Sequence, residues 1–367
     1  LSKISQALTA YLKAVNDNDS SSHATQRWLL AQLTRRFLTD NPKVISKIHD
    51  YIKVEEFINL LDYFICSPRS VGRIGGKGTG LFMAYQILNA HKKDMPFENI
   101  IIPRTWYISS DEFKNLLEDN GLDELNEHKY LDMVDIRISY PRIIQRMKNA
   151  HLSHYIINEL NKILDTCTNR PLIIRSSSIL EDQIDTAFSG KYKSLFITNM
   201  GTRAERLKQL VDGILEVYAS IFNPDSIEYR KERGLLDCDE QMGIMIQEVV
   251  GCKVGPYYFP LYAGVAFSNN ELRWSTRIKR EDGLLRIVLG LGTRAVDRIG
   301  EDYPILLSPG QPNLRINHSP YDLLKYSPQY MDVIDLNKNQ FITISVTDLI
   351  KEYGNYIPNI SHMASVL

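Results

Sequence analysis

The sequence has few cysteines and no excess of either charge, and these two features already exclude several classes of protein. Only four of its 367 residues are cysteine, and no two of them form a C-x-x-C pair. So few cysteines in a long chain indicate a reduced, cytoplasmic protein and argue against a disulfide scaffold or a structural zinc site. Lysine and arginine total 43 against 44 acidic residues. This balance gives no reason to expect nucleic acid or an anionic membrane as a partner.

The sequence also lacks the segments that target a protein to a membrane. No apolar run is long enough to span a bilayer, and the N-terminus does not have the charged and then apolar profile of a signal peptide. The first residue is Leu1 rather than methionine, and the chain ends in mid-pattern at Leu367. We therefore expect this sequence to be a piece of a longer protein.

Local patterns divide the chain into three parts. Residues 1–70 have apolar residues at helical spacing and no recognisable chemistry, which predicts a helical N-terminal extension. Residues 71–304 mix helical and strand-like runs without regular alternation, which predicts an α+β domain with lobes at about 71–245 and 246–304. Residues 305–367 are rich in Pro, Asn, Tyr and Ser and are expected to be a linker or the start of a following region.

Periodicity also predicts individual elements within this domain. An amphipathic helix is expected over about 202–222, and another helical stretch fills 142–165. Ser110 is typical of a helix N-cap. Strand-like runs lie at 100–108, 171–174, 242–250, 261–268, 271–276 and 284–289.

A glycine-rich loop at 72–80, with the sequence GRIGGKGTG, is the first candidate site. Its glycines let the backbone approach an anion closely, and the helix that follows points its first N–H groups at the same place. Lys77 adds a positive charge there. The loop is not a Walker A sequence, because Val71 and Gly78 occupy positions that need Gly and Ser or Thr. A flexible surface turn with an exposed lysine is the alternative.

Arg175 is the second candidate, because it leaves the end of a predicted buried strand and precedes three serines, 176–178. A planar guanidinium with five donors suits bidentate binding of a phosphate, and the serine hydroxyls add donors. The alternative is a structural salt bridge from Arg175 to Glu181 or Asp182.

The third candidate segment runs from Phe188 to Ser194, with the sequence FSGKYKS. Gly190 permits an unusual backbone conformation. Lys191, Lys193 and Ser194 could then meet phosphate oxygens. A solvated hairpin turn is the alternative here.

Taken together, these segments resemble the ATP-binding domain of pyruvate phosphate dikinase and phosphoenolpyruvate synthase. That family carries, in order, G-G-K-[GN], R-S-S with E-D close behind, F-[AS]-G, A-S-[IL]-[FY], Y-R, a strand beginning with Gln, G-V-[AM]-F-[ST] and G-L-G. The corresponding segments here are 75–78, 175–177 with 181–182, 188–190, 219–222, 229–230, 247–250, 264–268 and 290–292. Such an ordered run of matches is far more specific than any one of its members.

The resemblance implies a two-lobed, ATP-grasp-like fold that holds ATP between its lobes. It implies that Lys77 and Arg175 bind the ATP phosphates as the catalytic residues. The other residues implied at the phosphates are Gly75, Gly76, Ser176, Gly190 and Ser194. The interlobe hinge beside the adenine would be Gln247, Glu248 and Val250. An extended strand there would offer unpaired N–H and C=O groups to a purine edge.

The resemblance also implies cofactors and partners. ATP and Mg²⁺ are expected, and a histidine on a separate domain would accept the phosphoryl group and carry it to pyruvate or another acceptor. A phosphohistidine carrier domain and a pyruvate- or phosphoenolpyruvate-binding domain are therefore expected elsewhere in the parent protein. None of the eight histidines here directly follows a Gly-Gly pair. His151 and His154 are spaced i, i+3 without a glutamate partner, so we do not expect a metal site there.

The sequence departs from the family pattern near its end. The family domain usually closes with D-I-E-[FW], whose acid binds the metal, and then L-Q-x-R, but neither occurs before Leu367. After Gly292 the family continues with Glu, whereas this chain has Thr293, and Arg294, Asp297 and Arg298 are substitute candidates. The metal ligands are therefore unknown. Either the metal-binding strand lies beyond this sequence or this branch has lost catalysis.

Several functions stay open at this point. The leading prediction is the ATP domain of a phosphoenolpyruvate synthase-like phosphotransferase. The alternatives are a dikinase for a different acceptor, a non-catalytic ATP-binding module and a protein-interaction scaffold with a degenerate site. On the first reading, this piece alone would not complete turnover on pyruvate.

Overall fold

A computed structural model describes residues 1–17, 23–91, 100–178, 182–183, 186–187, 190–238, 240–296, 302–316 and 319–360. The chain separates into two compact units. Unit 1 contains residues 1–195 and 201–248, and unit 2 contains residues 196–200 and 249–367. The mixture of helices and strands confirms the predicted α+β class. The units divide after Glu248, a few residues later than the predicted lobe boundary.

Unit 1 begins with a group of helices. They are α1 (Ser2–Asp17), α2 (His23–Phe37), α3 (Pro42–Ile48) and α4 (Val54–Leu61). Phe37 and Phe57 from these helices are completely buried in one cluster with Ile74, Tyr107 and Met245. The predicted helical extension therefore shares its core with the segments that follow and belongs to the same compact unit.

The central sheet of unit 1 has five strands in the order β1-β2-β7-β3-β6. The strands of this region are β1 (Phe64–Ile65), β2 (Thr105–Ile108), β3 (Leu172–Ser178), β4 (Asp182–Gln183), β5 (Thr186–Ala187), β6 (Ser194–Ile197) and β7 (Met242–Glu248). The last two residues of β6 are assigned to unit 2. β1 and β2 are parallel, whereas β7 is antiparallel to both of its neighbours, β2 and β3. All seven residues of β7 are buried, as expected for a strand that is paired on both sides and covered on both faces.

Further helices cover this sheet. They are α5 (Gly75–Ala90), α6 (Glu112–Asp119), α7 (Met133–Lys148), α8 (His154–Thr166), α9 (Arg203–Ala219) and α10 (Pro224–Glu232). The helix predicted over 202–222 is confirmed, because α9 follows a capping box of Thr202 and Glu205 and a 3-10 turn continues to Phe222. The helical stretch at 142–165 is divided between α7 and α8.

Ser110 does not cap α6, contrary to the sequence prediction. Asp111 occupies the N-cap position, and its side chain makes no capping hydrogen bond. The Ser110 hydroxyl instead accepts a hydrogen bond from the backbone N–H of Arg73 at 3.1 Å. A contact 37 positions away in the chain has therefore replaced the local cap.

Unit 2 contains a three-stranded sheet of order β10-β11-β12 and a four-stranded sheet of order β14-β13-β9-β8. Its strands are β8 (Cys252–Val254), β9 (Tyr257–Phe259), β10 (Tyr262–Phe267), β11 (Leu284–Leu289), β12 (Ile305–Leu307), β13 (Tyr330–Asp335) and β14 (Gln340–Ser345). Its helices are α11 (Thr293–Val296), α12 (Pro320–Lys325) and α13 (Val346–Tyr353). The strands predicted at 261–268 and 284–289 are confirmed, whereas the run at 271–276, although fully described, forms no strand.

Residues 305–360 are not a linker in this structure. They contribute β12, β13, β14 and α13 to unit 2, where Met331, Val333 and Leu349 are buried in a cluster with Phe259. Residues 330–345 alternate between apolar and polar side chains as strands do, but the Pro- and Asn-rich composition around them made this pattern hard to recognise in the sequence. The domain predicted to end at residue 304 therefore continues into α13. No helix in the described ranges is long and apolar enough to cross a membrane.

Candidate functional site

The glycine-rich segment is tied to the sheet, because α5 begins in its middle at Gly75. Gly75 has φ +79°, and a Cβ at this position would lie 1.6 Å from the carbonyl oxygen of Ser177, so no side chain fits. The Ser177 hydroxyl accepts a hydrogen bond from the Gly78 N–H at 2.9 Å and donates one to the Ile74 carbonyl at 2.8 Å. The first turn of α5 is therefore locked onto β3, which does not fit a flexible surface turn.

The amino end of α5 carries a basic side chain and no acidic one in its first turn. Lys77 lies in its first turn, and its Nζ is 3.1 Å from the Oγ of Ser176. This turn contains no acidic residue, and the N-cap residue Ile74 makes no side-chain capping bond. The start of a helix carries a partial positive charge that ordinarily favours acidic side chains, so a lysine there adds to the charge. This arrangement favours an anionic ligand.

Arg175 lies on β3 directly before Ser176. The strand register places it opposite Met245 on β7, in a row that continues to Tyr107 on β2. Because side chains alternate along a strand, Arg175 shares a face with Ser177, which contacts the first turn of α5. Ser176, the partner of Lys77, alternates to the other face. Arg175 is half-buried, and the side chains of its predicted alternative partners, Glu181 and Asp182, lie outside what the structure describes. Lys77 and Arg175 thus come from two elements that pack directly together.

A buried network continues from the end of β3. The Ser178 hydroxyl donates to the carboxylate of Glu240, which also lies 3.4 Å from the guanidinium of Arg230. Arg230 is 2% exposed and donates to the carbonyl of Ile221 at 2.8 Å. The Tyr-Arg match at 229–230 therefore supplies structural support in this fold. Sequence reasoning missed Glu240, since no local pattern marks it.

The segment around Gly190 and Ser194 is attached to other helices. Gly190 has φ +80°, and both residues are exposed. The N–H of Lys193 donates to the hydroxyl of Ser220 at 3.2 Å, beyond the end of α9. None of the hydrogen bonds described for this segment reaches α5. The preceding pair at 188–189 lies outside the described residues.

Gln247 does not present a free strand edge, contrary to the rationale for a hinge at this residue. Its strand β7 is central, and Gln247 is in register with Thr105 on one side and Ile173 on the other. Its side-chain amide donates to the hydroxyl of Thr105 at 2.8 Å. The backbone groups of this residue are therefore engaged within the sheet.

Glu248 is the last residue of unit 1, and its carboxylate is held by several donors. It accepts a hydrogen bond from the Cys167 thiol at 3.2 Å, and Arg170 and Arg104 lie 3.4 and 3.9 Å away. Burial, reinforced by the hydrogen bond to Glu248 and by its negative charge, raises the pKa of Cys167 to about 12. Val250, two residues later in unit 2, is 60% exposed. Sequence reasoning missed Cys167 and Arg170 as partners of Glu248.

Asp332 is an acidic residue on a late strand, β13, that the D-I-E pattern did not reveal. It is 1% exposed and accepts hydrogen bonds from Arg294 at 3.0 Å, from Thr343 at 2.7 Å and from Thr293. Arg294 also forms a 2.8 Å ion pair with Asp302. A guanidinium and two hydroxyls therefore surround this carboxylate.

A metal site does not emerge from the described side chains. No group of three or more His, Cys, Asp or Glu residues there could hold a metal ion. Asp297 and Arg298, two of the substitute candidates, lie outside the described residues. The described residues therefore contain no cluster of three such ligands.

Comparison with protein families identifies a match over most of the chain. A family model described as pyruvate phosphate dikinase, AMP/ATP-binding domain, matches residues 71–349. This range exceeds half of the chain and includes α5, β3, β7 and β13. It begins after α1–α4 and ends within α13, well beyond the predicted boundary at residue 304. No curated protein matches the chain significantly.

Proposed function

Because this chain belongs to the family of pyruvate phosphate dikinase AMP/ATP-binding domains, we propose that it binds ATP as the donor in a dikinase-type phosphoryl transfer. The observation that carries this proposal is the amino end of α5. It combines helix N–H groups, Lys77 and Ser176 with a first turn that lacks any acid. A polyphosphate would neutralise the positive charge that this arrangement concentrates.

In this proposal, the ATP phosphates lie against the first turn of α5. The backbone of Gly75 and Gly76 allows close approach, while Lys77 and Arg175 contribute cationic donors. ATP supplies the transferred phosphoryl group. Protein assistance to such a transfer consists mainly of positioning and charge neutralisation, and both suit two cations held by a packed helix and strand.

Other parts of the assignment depend more heavily on the family. Gly190 and Ser194 would complete the phosphate site, and Gln247, Glu248 and Val250 would lie beside the adenine. The acceptor would be a carrier histidine on another domain, followed by pyruvate in a phosphoenolpyruvate synthase-like reaction. We assign no step to Mg²⁺, since no cluster of three or more His, Cys, Asp or Glu side chains marks a site for it among the described residues. None of the four cysteines, all of which lie in the described part of the chain, forms a disulfide, and this suits a cytoplasmic setting.

A second function, a non-catalytic ATP-binding module, is favoured by one observation. The buried acid on β13, Asp332, is already neutralised by Arg294. A carboxylate in a buried ion pair with further hydrogen bonds is a poor free ligand for a divalent cation, because the guanidinium would have to leave first. The two functions share ATP binding and differ in whether a phosphoryl group leaves the site.

Calorimetric titration of ATP into the chain tests the shared proposal. Lys77→Met and Arg175→Met should each weaken ATP binding about 10-fold or more, since a hydrogen bond to a charged group contributes about 1.5–3 kcal/mol. Lys43→Met, an exposed lysine on α3, is the matched control and should bind like wild type. Absence of both binding heat and thermal stabilisation in wild type would show that the ATP assignment is wrong.

Catalysis needs a separate measurement. The chain should be incubated with ATP and the parent protein's histidine-bearing domain, and the products separated by ion exchange. Transfer of the β,γ-pyrophosphoryl group of ATP to the histidine releases AMP, so AMP together with a pyrophosphorylated histidine, or with a phosphohistidine and free phosphate, would support the dikinase. Tight ATP binding without product would support the non-catalytic module.

A further inference from the structure

The segment that leads into α5 is held by a helix outside the residues matched by the family model. Residues 1–70 precede that match. The guanidinium of Arg36, near the end of α2, donates to the carbonyls of Val71 at 2.9 Å and Gly72 at 2.8 Å. It also reaches the carbonyl of Ser70 at 3.4 Å. One side chain therefore binds three successive carbonyls, those of residues 70–72, at the start of the glycine-rich loop.

The contact between α2 and the α5 region is reciprocal. The last carbonyls of a helix have no partner within it and need donors from elsewhere. Here the donors come from the loop and from the start of α5. The three hydrogen bonds are Arg73 Nε to the Arg35 carbonyl at 2.8 Å, Ile74 N to the Phe37 carbonyl at 3.0 Å and Thr79 Oγ1 to the Leu38 carbonyl at 3.2 Å.

The opposite side of the loop is held by residues inside the family match. Asp111 accepts hydrogen bonds from the Val71 N–H at 2.6 Å and from the hydroxyl of Ser70. The loop is thus held between Asp111 and Arg36. Because one side of this clamp comes from α2, the direction of the first turn of α5 depends on the helical N-terminal region.

We propose that Arg36 is a positioning residue for the phosphates of the nucleotide, an inference that rests on the proposed function. It touches no ligand itself and acts through the carbonyls of residues 70–72. Arginine suits this role because its planar fork offers five donors in fixed directions, whereas lysine is a single flexible point charge. A small displacement of the helix start would misalign the N–H groups and Lys77, which weakens binding that depends on geometry.

A comparison of ligands tests this inference in the full 367-residue chain. Dissociation constants for ATP, tripolyphosphate and adenosine should be measured by calorimetry or ligand-observed NMR. Arg36→Met should weaken ATP and tripolyphosphate about 10-fold and leave adenosine unchanged. Arg35→Met is the matched control. Arg35 is the neighbouring residue, carries the same charge and has an exposed side chain. It should bind all three ligands like wild type.

Other outcomes would overturn the inference. An Arg36→Met protein that is folded and binds tripolyphosphate like wild type shows that Arg36 does not position the site. Equal loss of all three ligands shows a general structural role. If Arg36→Met fails to fold, Thr79→Val decides, because it removes the hydrogen bond to Leu38 and keeps the side-chain shape. It should show the same selective loss, and wild-type binding would reject the inference. A wild-type chain that binds neither ATP nor tripolyphosphate refutes the proposed function itself.

Discussion

The ammonium group of Lys77 lies 3.1 Å from the hydroxyl of Ser176, although 99 positions separate the two residues in the chain. Lys77 belongs to the first turn of α5 and Ser176 to β3, so the contact depends on how that helix packs against the sheet. Ser176 is fully buried, and its hydroxyl therefore has little freedom to move. The contact couples a flexible lysine side chain to a rigid strand at the proposed phosphate site.

Replacing Ser176 should weaken ATP binding without abolishing it. Ser176→Ala removes a contact that orients Lys77 but keeps the lysine charge, so we expect a loss of about 0.5–1.5 kcal/mol in binding, or roughly 2- to 13-fold in affinity. Calorimetry measures this loss. Ser46→Ala on α3 is the control and should leave affinity unchanged, because the Ser46 hydroxyl donates to the Lys43 carbonyl within its own helix. Wild-type affinity in Ser176→Ala would show that this contact does not orient Lys77 for the nucleotide.

Two glycines of α5 should respond to alanine in opposite directions. Gly75→Ala forces a Cβ against the Ser177 carbonyl at positive φ, and we expect a loss of more than about 2 kcal/mol in the free energy of unfolding. Gly80 has nothing within 4 Å of a built Cβ and lies inside the same helix. Gly80→Ala should therefore stabilise the chain by about 0.5–1 kcal/mol. Urea unfolding measures both, and a tolerated Gly75→Ala would contradict the locked helix start.

The cysteines should react with iodoacetamide in an order set by burial. Cys238 is exposed, whereas Cys167 is buried with a pKa raised to about 12 by burial and by Glu248. Because the thiolate is the reactive form, Cys167 in the native chain at pH 8 should react more than about 100-fold slower than Cys238. Peptide mass spectrometry of timed samples gives both rates. Labelling of both at similar rates in the native state would argue against the buried pair with Glu248.

Because of His128, the free energy of unfolding should decrease as the pH becomes acidic. Its Nε2 lies 2.7 Å from the hydroxyl of Ser139, which itself donates to the Asp135 carbonyl, so His128 donates at this contact. Its Nδ1 is buried without a hydrogen-bond partner among the described residues. Burial lowers the pKa of His128, because protonation would place a charged N–H where no acceptor lies. The unfolded chain therefore binds this proton more readily than the folded chain.

The sign of the effect follows from that difference. Neutral His128 makes its full contribution to the free energy of unfolding above about pH 6.5, the pKa of histidine in the unfolded chain. This contribution is lost as the pH falls below that value. One proton limits the slope to about 1.4 kcal/mol per pH unit. Urea unfolding at pH 7.5 and 5.5 should show a smaller difference in His128→Gln than in wild type. An equal difference in both would exclude His128 as the cause.

Local pattern was sufficient for the elements whose signal lies in a single stretch of residues. The helix over 202–222 and the strand at 284–289 were predicted because their apolar periodicity is uninterrupted. Patterns failed where a distant partner overrides local preference. Ser110 is bonded to Arg73 rather than capping α6, and the run at 271–276 finds no strand to pair with. Sequence reasoning also identified Lys77 and Arg175 as candidates, but it could not show what holds them.

The sequence by itself determined the family, the α+β class and the identity of the candidate phosphate-binding residues, because these depend on residue types at short spacing. Only the tertiary structure decided which partners those residues have. Three contacts each join residues more than 30 positions apart. They are the hydrogen bond of Ser177 with the start of α5, those of Arg36 with residues 70–72 and the ion pair of Arg294 with Asp332. Such contacts arise when helices and strands pack and exclude water from polar groups that must then find partners, and no local pattern encodes that choice.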